Sequence, residues 1–390
     1  MSRDDMSGAK DKGYLPYGRQ WVSPEDIEAV IDVLESDWIT TGPKVEEFER
    51  TVANKAGALH GVAVSNGTTA LHAAYAAAGI GPGDEVIVPA ITFASTANMV
   101  ILRGAKPIFA DVDKNTLLID PESVRSLITD RTKAIVGVDY AGQPFDHLKL
   151  KKICHDRQIL LISDAAHSLG GAHEGSPVGS LADITTFSFH PVKPITTGEG
   201  GMVVTDSEEF ANKARAMRGH GIDATFRERE AENTFEYDVS SLGSNYRITD
   251  FQCALGISQI SRLDEWIAKR NWIADLYDSG LSNIEGISPI GRREGVLNAF
   301  HLYVVRVDKS RFGSDRGSVF RHLRESNIGV NVHYRPIYQF SYYRRKYGDL
   351  SGSCPNSEKA YEEILSLPIF PGMDLEDVNR VVDGIAKFSQ

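Results

Sequence analysis

Apolar positions along the chain follow two rhythms that take turns. Ile27, Val30, Ile31 and Leu34 fall at helical spacing behind Ser23 and Pro24. This predicts a helix over 24–37, capped by the serine and opened by the proline. Similar patterns predict helices over 45–56, 70–78 and 92–103, with turns at 38–43 and at the glycine-rich 79–84. Between them stand short apolar runs of strand type at 61–65, 85–89, 106–110, 134–139, 159–163 and 184–189. Strand and helix in alternation predict a mostly parallel sheet covered on both faces.

The pattern changes in the last third. The charged run 227–232 reads as a mobile loop. Leu255, Ile260, Leu263, Trp266, Ile267 and Ile273 predict one long helix from Thr249 to about Leu281, and a domain boundary is set within it. Beyond it the pattern is α+β, with strands at 301–307 and 330–333 and helices at 316–326 and 375–388. The predicted organisation is an N-terminal tail and arm (1–23), a large domain with the parallel sheet (24–262) and a smaller C-terminal domain (263–390).

Composition narrows the function more than the fold. At 390 residues and 42% apolar content the chain is an ordinary globular protein of about two domains. No apolar run would span a bilayer, and the charged 1–12 segment lacks an apolar signal region and reads as a frayed tail. Cys154, Cys253 and Cys354 are too widely spaced for a metal motif, and their odd number argues against a disulfide framework. The expected compartment is the cytoplasm. A net charge of −11 argues against nucleic acid, and an anionic ligand must be held by local donors.

The chemistry gathers around Lys193. It follows the strand-like 184–189 run and precedes the glycine-rich turn of 198–201; Pro191 and Pro194 exclude a regular helix there. A lysine held this way suits a Schiff base to an aldehyde cofactor such as pyridoxal phosphate (PLP). The alternative is an exposed loop lysine. Asp164 ends an apolar strand, where open parallel sheets bind ligands, and suits the pyridine nitrogen or a helix cap. His167 suits the cofactor's phenolic oxygen or a sheet-edge packing role. Phe93 suits ring stacking or the core. Ser65 to Leu71 turns from strand to helix, so the N–H groups from Gly67 onward with the Thr68 and Thr69 hydroxyls suit an anion, or simple capping.

Ser65–Leu71, Thr92–Asn98, Ser163–His167, Ser188–Lys193 and Gly243–Arg247 stand in the order seen in the DegT/DnrJ/EryC1/StrS family, which the chain resembles from about Tyr17 to its end. The resemblance implies the fold type I architecture of aspartate aminotransferase and PLP as cofactor. It implies Lys193 as the Schiff-base lysine, Asp164 on the pyridine nitrogen, and Ser188 with the Thr68 region on the phosphate. It also implies Asn245 reaching the phosphate of the neighbouring subunit's cofactor, and hence a homodimer with shared sites. Relatives with histidine at the lysine position are dehydratases, so Lys193 favours transamination. Val138–Gly142, the Ser188–Gly201 block and Val332–Gln339 resemble one branch, the C4 aminotransferases of pseudaminic acid biosynthesis. That branch implies L-glutamate as donor and UDP-2-acetamido-2,6-dideoxy-L-arabino-4-hexulose as acceptor. His333, Tyr334 and Arg335 carry groups that bind sugar hydroxyls and diphosphate, or else form an ordinary strand end.

Overall fold

The computed structural model describes residues 13–222, 229 and 233–388. The strands of its large sheet are short runs rich in β-branched and small apolar residues, most of them buried on both faces. In chain order come β1 (His60–Val64), β2 (Glu85–Pro89), β3 (Lys106–Ala110), β4 (Thr132–Val138) and β5 (Leu160–Asp164), followed by a short hairpin of β6 (Ala172–His173) and β7 (Ser176–Pro177). Then come β8 (Ile184–Ser188) and β9 (Gly201–Thr205). The large sheet has the order β1-β9-β8-β5-β4-β2-β3. Strands β3, β2, β4, β5 and β8 run parallel, and β9 lies antiparallel between β8 and β1. The predicted mostly parallel α/β sheet is therefore what forms.

Alternation along the strands sends Val86, Val88, Val136, Ile162 and Ile184 to one face, under the helices Gly67–Ala77 and Ala94–Leu102. Ile87, Ile135 and Leu161 point to the other. Full burial of each such side chain contributes about 1.5–3 kcal/mol, so a slip of one residue in any central strand would cost several of these at once.

A second core lies in the C-terminal part. There β10 (Ile287–Pro289), β12 (Tyr303–Val307) and β13 (Ile364–Leu367) form an antiparallel sheet, while β11 (Val296–Leu297) pairs back onto β6. Tyr277 and Leu281 of the Leu263–Leu281 helix and Val381 and Ile385 of the Leu375–Phe388 helix pack against this sheet. Leu15 joins the same core and bridges to Ile328, so the N-terminal segment docks on the C-terminal part.

Three sequence expectations change. The long 249–281 helix is two helices, Asp250–Ile260 and Leu263–Leu281. No proline or glycine marks the break. It forms because buried Asp26 accepts from Ser258 Oγ at 2.6 Å, from Gln259 Nε2 at 2.6 Å and from Arg262, drawing that turn toward the Pro24–Leu34 helix. That first helix itself stops at Leu34 rather than 37, where Ser36 Oγ takes up the Val33 carbonyl at 2.8 Å. The 330–333 strand is only a bridge, Asn331 to Ser366. Asn331 Oδ1 accepts from Val332 N–H and Tyr140 donates to the His333 carbonyl, so the groups a ladder would use are engaged elsewhere. Tail residues 1–12 and, Arg229 apart, the 227–232 loop lie outside the described residues. No helix among the described residues is long and apolar enough to cross a membrane.

Candidate active site

The parallel strands end together, and their last residues build the site. Asp164 is the last residue of β5 and pairs with Thr186 of β8, two residues short of Ser188. The Asp164 carboxylate is 5% exposed, accepts from Thr96 Oγ1 at 2.7 Å and from the Ala166 N–H at 3.3 Å. Thr96 Oγ1 also meets Thr92 Oγ1 at 2.8 Å. Burial raises the Asp164 pKa, against those hydrogen bonds and the Lys193 charge. A buried carboxylate poised this way strongly favours a cationic N–H partner.

Lys193 sits beyond β8 in a turn closed by its own N–H donating to the His190 carbonyl at 2.9 Å. Its amine lies inside, 3.4 Å from His301 Nε2. Burial pushes the lysine down to about 8, while Asp164 pulls it upward. The His301 and His167 rings stand 4.3 Å apart, and Tyr334 Oη reaches His167 Nε2 at 3.3 Å. Burial drives both histidines well below the ordinary range, and pushes His333 down to about 4. The pocket thus surrounds one lysine with neutral imidazoles. The Nδ1 atoms of His167 and His301 are buried without a protein partner, which marks a place for a polar ligand.

An anion cradle adjoins this. Asn66 caps the Gly67–Ala77 helix, accepting from Thr69 N–H at 2.9 Å. Gly67 lies against the end of β8: a Cβ there would stand 2.8 Å from Ser188 Cβ. Thr68 Oγ1 and Ser95 Oγ meet at 2.7 Å. A helix N-terminus, a bare glycine and clustered hydroxyls on one strand end suit a phosphate. Phe93, N-cap of the next helix, is 57% exposed, and its ring lies 6.1 Å from that of Tyr334. It is not the core phenylalanine of the alternative reading.

The fold brings Lys193, Asp164, His167, Ser188, Gly67, Thr68, Phe93 and Tyr334 to one end of the sheet. His333 faces away through its Nδ1, 2.8 Å from Ser366 Oγ, yet after burial itself the Lys193 charge also opposes protonation of its ring. Arg335 turns along its own loop, with Nε 3.4 Å from Gln339 Oε1 and its guanidinium over Phe340. Asn245 is exposed and accepts from its neighbour Arg247 N–H at 3.4 Å. Its loop still reaches the cradle, since the Tyr246 carbonyl accepts from Ser65 N–H at 2.8 Å. Sequence reasoning missed His301, which stood as the first residue of a strand. The only available signal was a histidine heading an apolar run, and nothing local links it to Lys193.

These residues fit PLP. A buried carboxylate, an inward lysine amine, unpartnered imidazole nitrogens and an anion cradle stand together at the carboxyl ends of parallel strands, the arrangement of a PLP-dependent aminotransferase of the α/β class. The chain belongs to the DegT/DnrJ/EryC1/StrS aminotransferase family, whose sequence profile matches residues 21–386. It is a PLP-dependent sugar aminotransferase that uses an amino donor and acts on nucleotide sugars. It is 40% identical over 379 residues to the spore coat polysaccharide biosynthesis protein SpsC of Bacillus subtilis, covering 96% of this chain and 97% of that one. Among solved structures it is similar to Helicobacter pylori PseC, an aminotransferase involved in the biosynthesis of pseudoaminic acid. That match has a TM-score of 0.90 and 31% identity, over 96% of this chain and 99% of PseC. A candidate sugar aminotransferase of Streptococcus pneumoniae in its PMP form matches with a TM-score of 0.90 and 30% identity, over 96% and 99% of the two chains; its PLP form is also solved.

Proposed function

We propose that this enzyme moves the amino group of L-glutamate to C4 of a UDP-linked 4-keto-6-deoxy sugar, UDP-2-acetamido-2,6-dideoxy-β-L-arabino-4-hexulose, with Lys193 as cofactor lysine and proton carrier. The observation that carries the lysine's role is its buried amine, lowered to about 8, on the same strand-end platform as the Asp164 carboxylate. The similarity to PseC along nearly the whole chain supports the sugar.

When bound, PLP supplies the electron sink that lets the donor's Cα–H ionise and stores the amino group between half-reactions. The Asp164 carboxylate, oriented by Thr96, would hold the pyridine nitrogen protonated through a charge-assisted bond. Gly67, Thr68 and Ser188 would hold the phosphate. Phe93, whose ring lies 6.1 Å from that of Tyr334, would stack on the cofactor ring. His167 would meet the phenolic oxygen, its Nδ1 being buried without a protein partner. The Lys193 amine would take up the proton released at the donor's Cα, hold it at Nζ, and supply a proton to C4 of the sugar in the second half-reaction. An amine with a pKa near 8 is suited to do both at neutral pH. Tyr334 lies on the substrate side of the pocket, and His333 and Arg335, from the same loop, would turn from Ser366 and Gln339 toward the sugar hydroxyls and diphosphate.

The working unit is a homodimer in which Asn245 of each subunit completes the phosphate site of the other. Exposed Leu242, 84% accessible, beside exposed Asn245 supports a covered surface there. The test is a mass-spectrometric assay of purified protein with glutamate, PLP and a panel of UDP-, GDP- and dTDP-linked 4-keto-6-deoxy sugars. The UDP-L-arabino-hexulose should be aminated fastest. Amination of another panel sugar in its place would reassign the substrate.

A further inference from the structure

Arg270 lies in the middle of the Leu263–Leu281 helix and is 2% exposed. Such burial is costly for a guanidinium, and among the described residues no ion pair offsets it. Its Nη1 donates to two main-chain carbonyls instead, Phe300 at 3.1 Å and Ile369 at 3.0 Å, and its Nε is buried without a protein partner. Burial lowers even this guanidinium, to about 10.

Phe300 is an unusual residue to hold. Its φ is +44°, in the left-handed region that a bulky side chain rarely adopts. Asn298 Oδ1 accepts the Phe300 N–H at 2.8 Å, and the Ala299 and Leu302 N–H groups donate to Gly142 and Ala141. The next residue after Phe300 is His301, whose ring stands against the Lys193 amine. A chain that relaxed at Phe300 would swing that ring away.

We propose that Arg270 and His301 are positioning residues for Lys193: Arg270 fixes the left-handed Phe300 turn, and the turn sets the His301 ring as the wall that keeps water from the lysine amine. The proposal rests on Lys193 being the cofactor lysine. Around that amine the fold places Asp164 from the end of β5, His167 from the turn after it, His333 and Tyr334 from the C-terminal loop, and Arg270 from behind His301. Asp164 favours a protonated lysine. Burial first, and then Lys193, His167, Arg270 and His333, oppose protonation of His301. It therefore stays a neutral ring and adds no second cation to the site.

The test uses cofactor-free protein labelled with 13C at lysine Cε, followed by NMR over pH, with the Lys193 signal assigned by its loss in Lys193→Arg. In the unchanged protein it should titrate near 8. His301→Ala admits water and should move it up by about one pH unit or more, toward an ordinary lysine. Arg270→Gln should move it the same way, and the double variant no further than His301→Ala alone. If Arg270→Gln does not fold, Asn298→Ala loosens the same turn and should give the same shift. A purely structural Arg270 would lower the melting temperature and leave Lys193 at its original value. That result, or shifts that add fully in the double variant, overturns the proposal. Borohydride mapping of the PLP-loaded, unchanged protein tests the cofactor role of Lys193 separately.

Discussion

The two walls of the active site are built differently. The inner wall stands on strand ends. Asp164, Ser188 and Gly67 take their positions from β5, β8 and the β1 turn, and the polar atoms of Asp164 are bonded to Thr96 and Ala166. The outer wall, as proposed, stands on loops. Phe93 is 57% exposed, Arg335 bonds its own loop, and Asn245 shapes its own turn. Strand ends inside a rigid sheet hold atoms to within about 0.5 Å, as acid–base chemistry requires. A loop wall is free to vary with the sugar it receives. Damage should therefore fall on turnover and cofactor retention at the inner wall, and on KM and substrate choice at the outer one.

The largest effect belongs to Lys193. Lys193→Ala should lose more than the ~10⁴-fold that a proton-transfer group alone supplies, because anchor and proton carrier disappear together. Mixing it with Asn245→Asp protein tests whether part of each site comes from the other subunit. After subunit exchange about a quarter of all sites should be intact and activity should return. Demonstrated exchange without recovery would place Asn245 outside the partner's site.

Asp164→Asn comes next. It keeps the shape and the Thr96 bond but removes the charge, and should cost kcat about 10²–10³-fold, ~3–4 kcal/mol. Near-normal turnover would reduce Asp164 to a helix-capping role. The sign of its pH behaviour follows from burial. Its raised pKa means that the ionised form is disfavoured in the free protein, so PLP affinity should fall as pH drops and the carboxyl becomes protonated.

The inner wall was largely legible in the sequence because strand-end chemistry is local. Ser163-Asp164 and Phe187-Ser188 each place a polar residue at the end of an apolar run, and that run fixes its direction. The Asp250–Ile260 helix end was not legible. Its stop is set by Asp26, more than two hundred residues away, and no breaker residue marks it. His301 was hidden for the same reason: it meets Lys193 across a separation of 108 residues. The 330–333 segment had a strand's composition, and lost its ladder to Tyr140 and to its own asparagine. Tertiary partners, which no local pattern encodes, decided each of these.

Gly67→Ala probes the cradle with one methyl group. The new Cβ would stand 2.8 Å from Ser188 Cβ, so the strand end or the helix must shift. PLP dissociation measured by fluorescence should weaken about tenfold, or ~1.4 kcal/mol. Unchanged affinity would move the phosphate away from this turn. The smallest effect should come from the outer wall. Arg335→Ala should raise the sugar-nucleotide KM severalfold, with kcat and PLP affinity near their original values. A fall in kcat alone would mean that the loop acts in the chemistry and that the contrast between the walls fails.

The most direct measurement is borohydride reduction of the purified, PLP-loaded protein followed by peptide mapping. One phosphopyridoxyl group is expected, on the peptide that contains Lys193. A label on any other lysine, with the Lys193 peptide unmodified, would contradict it.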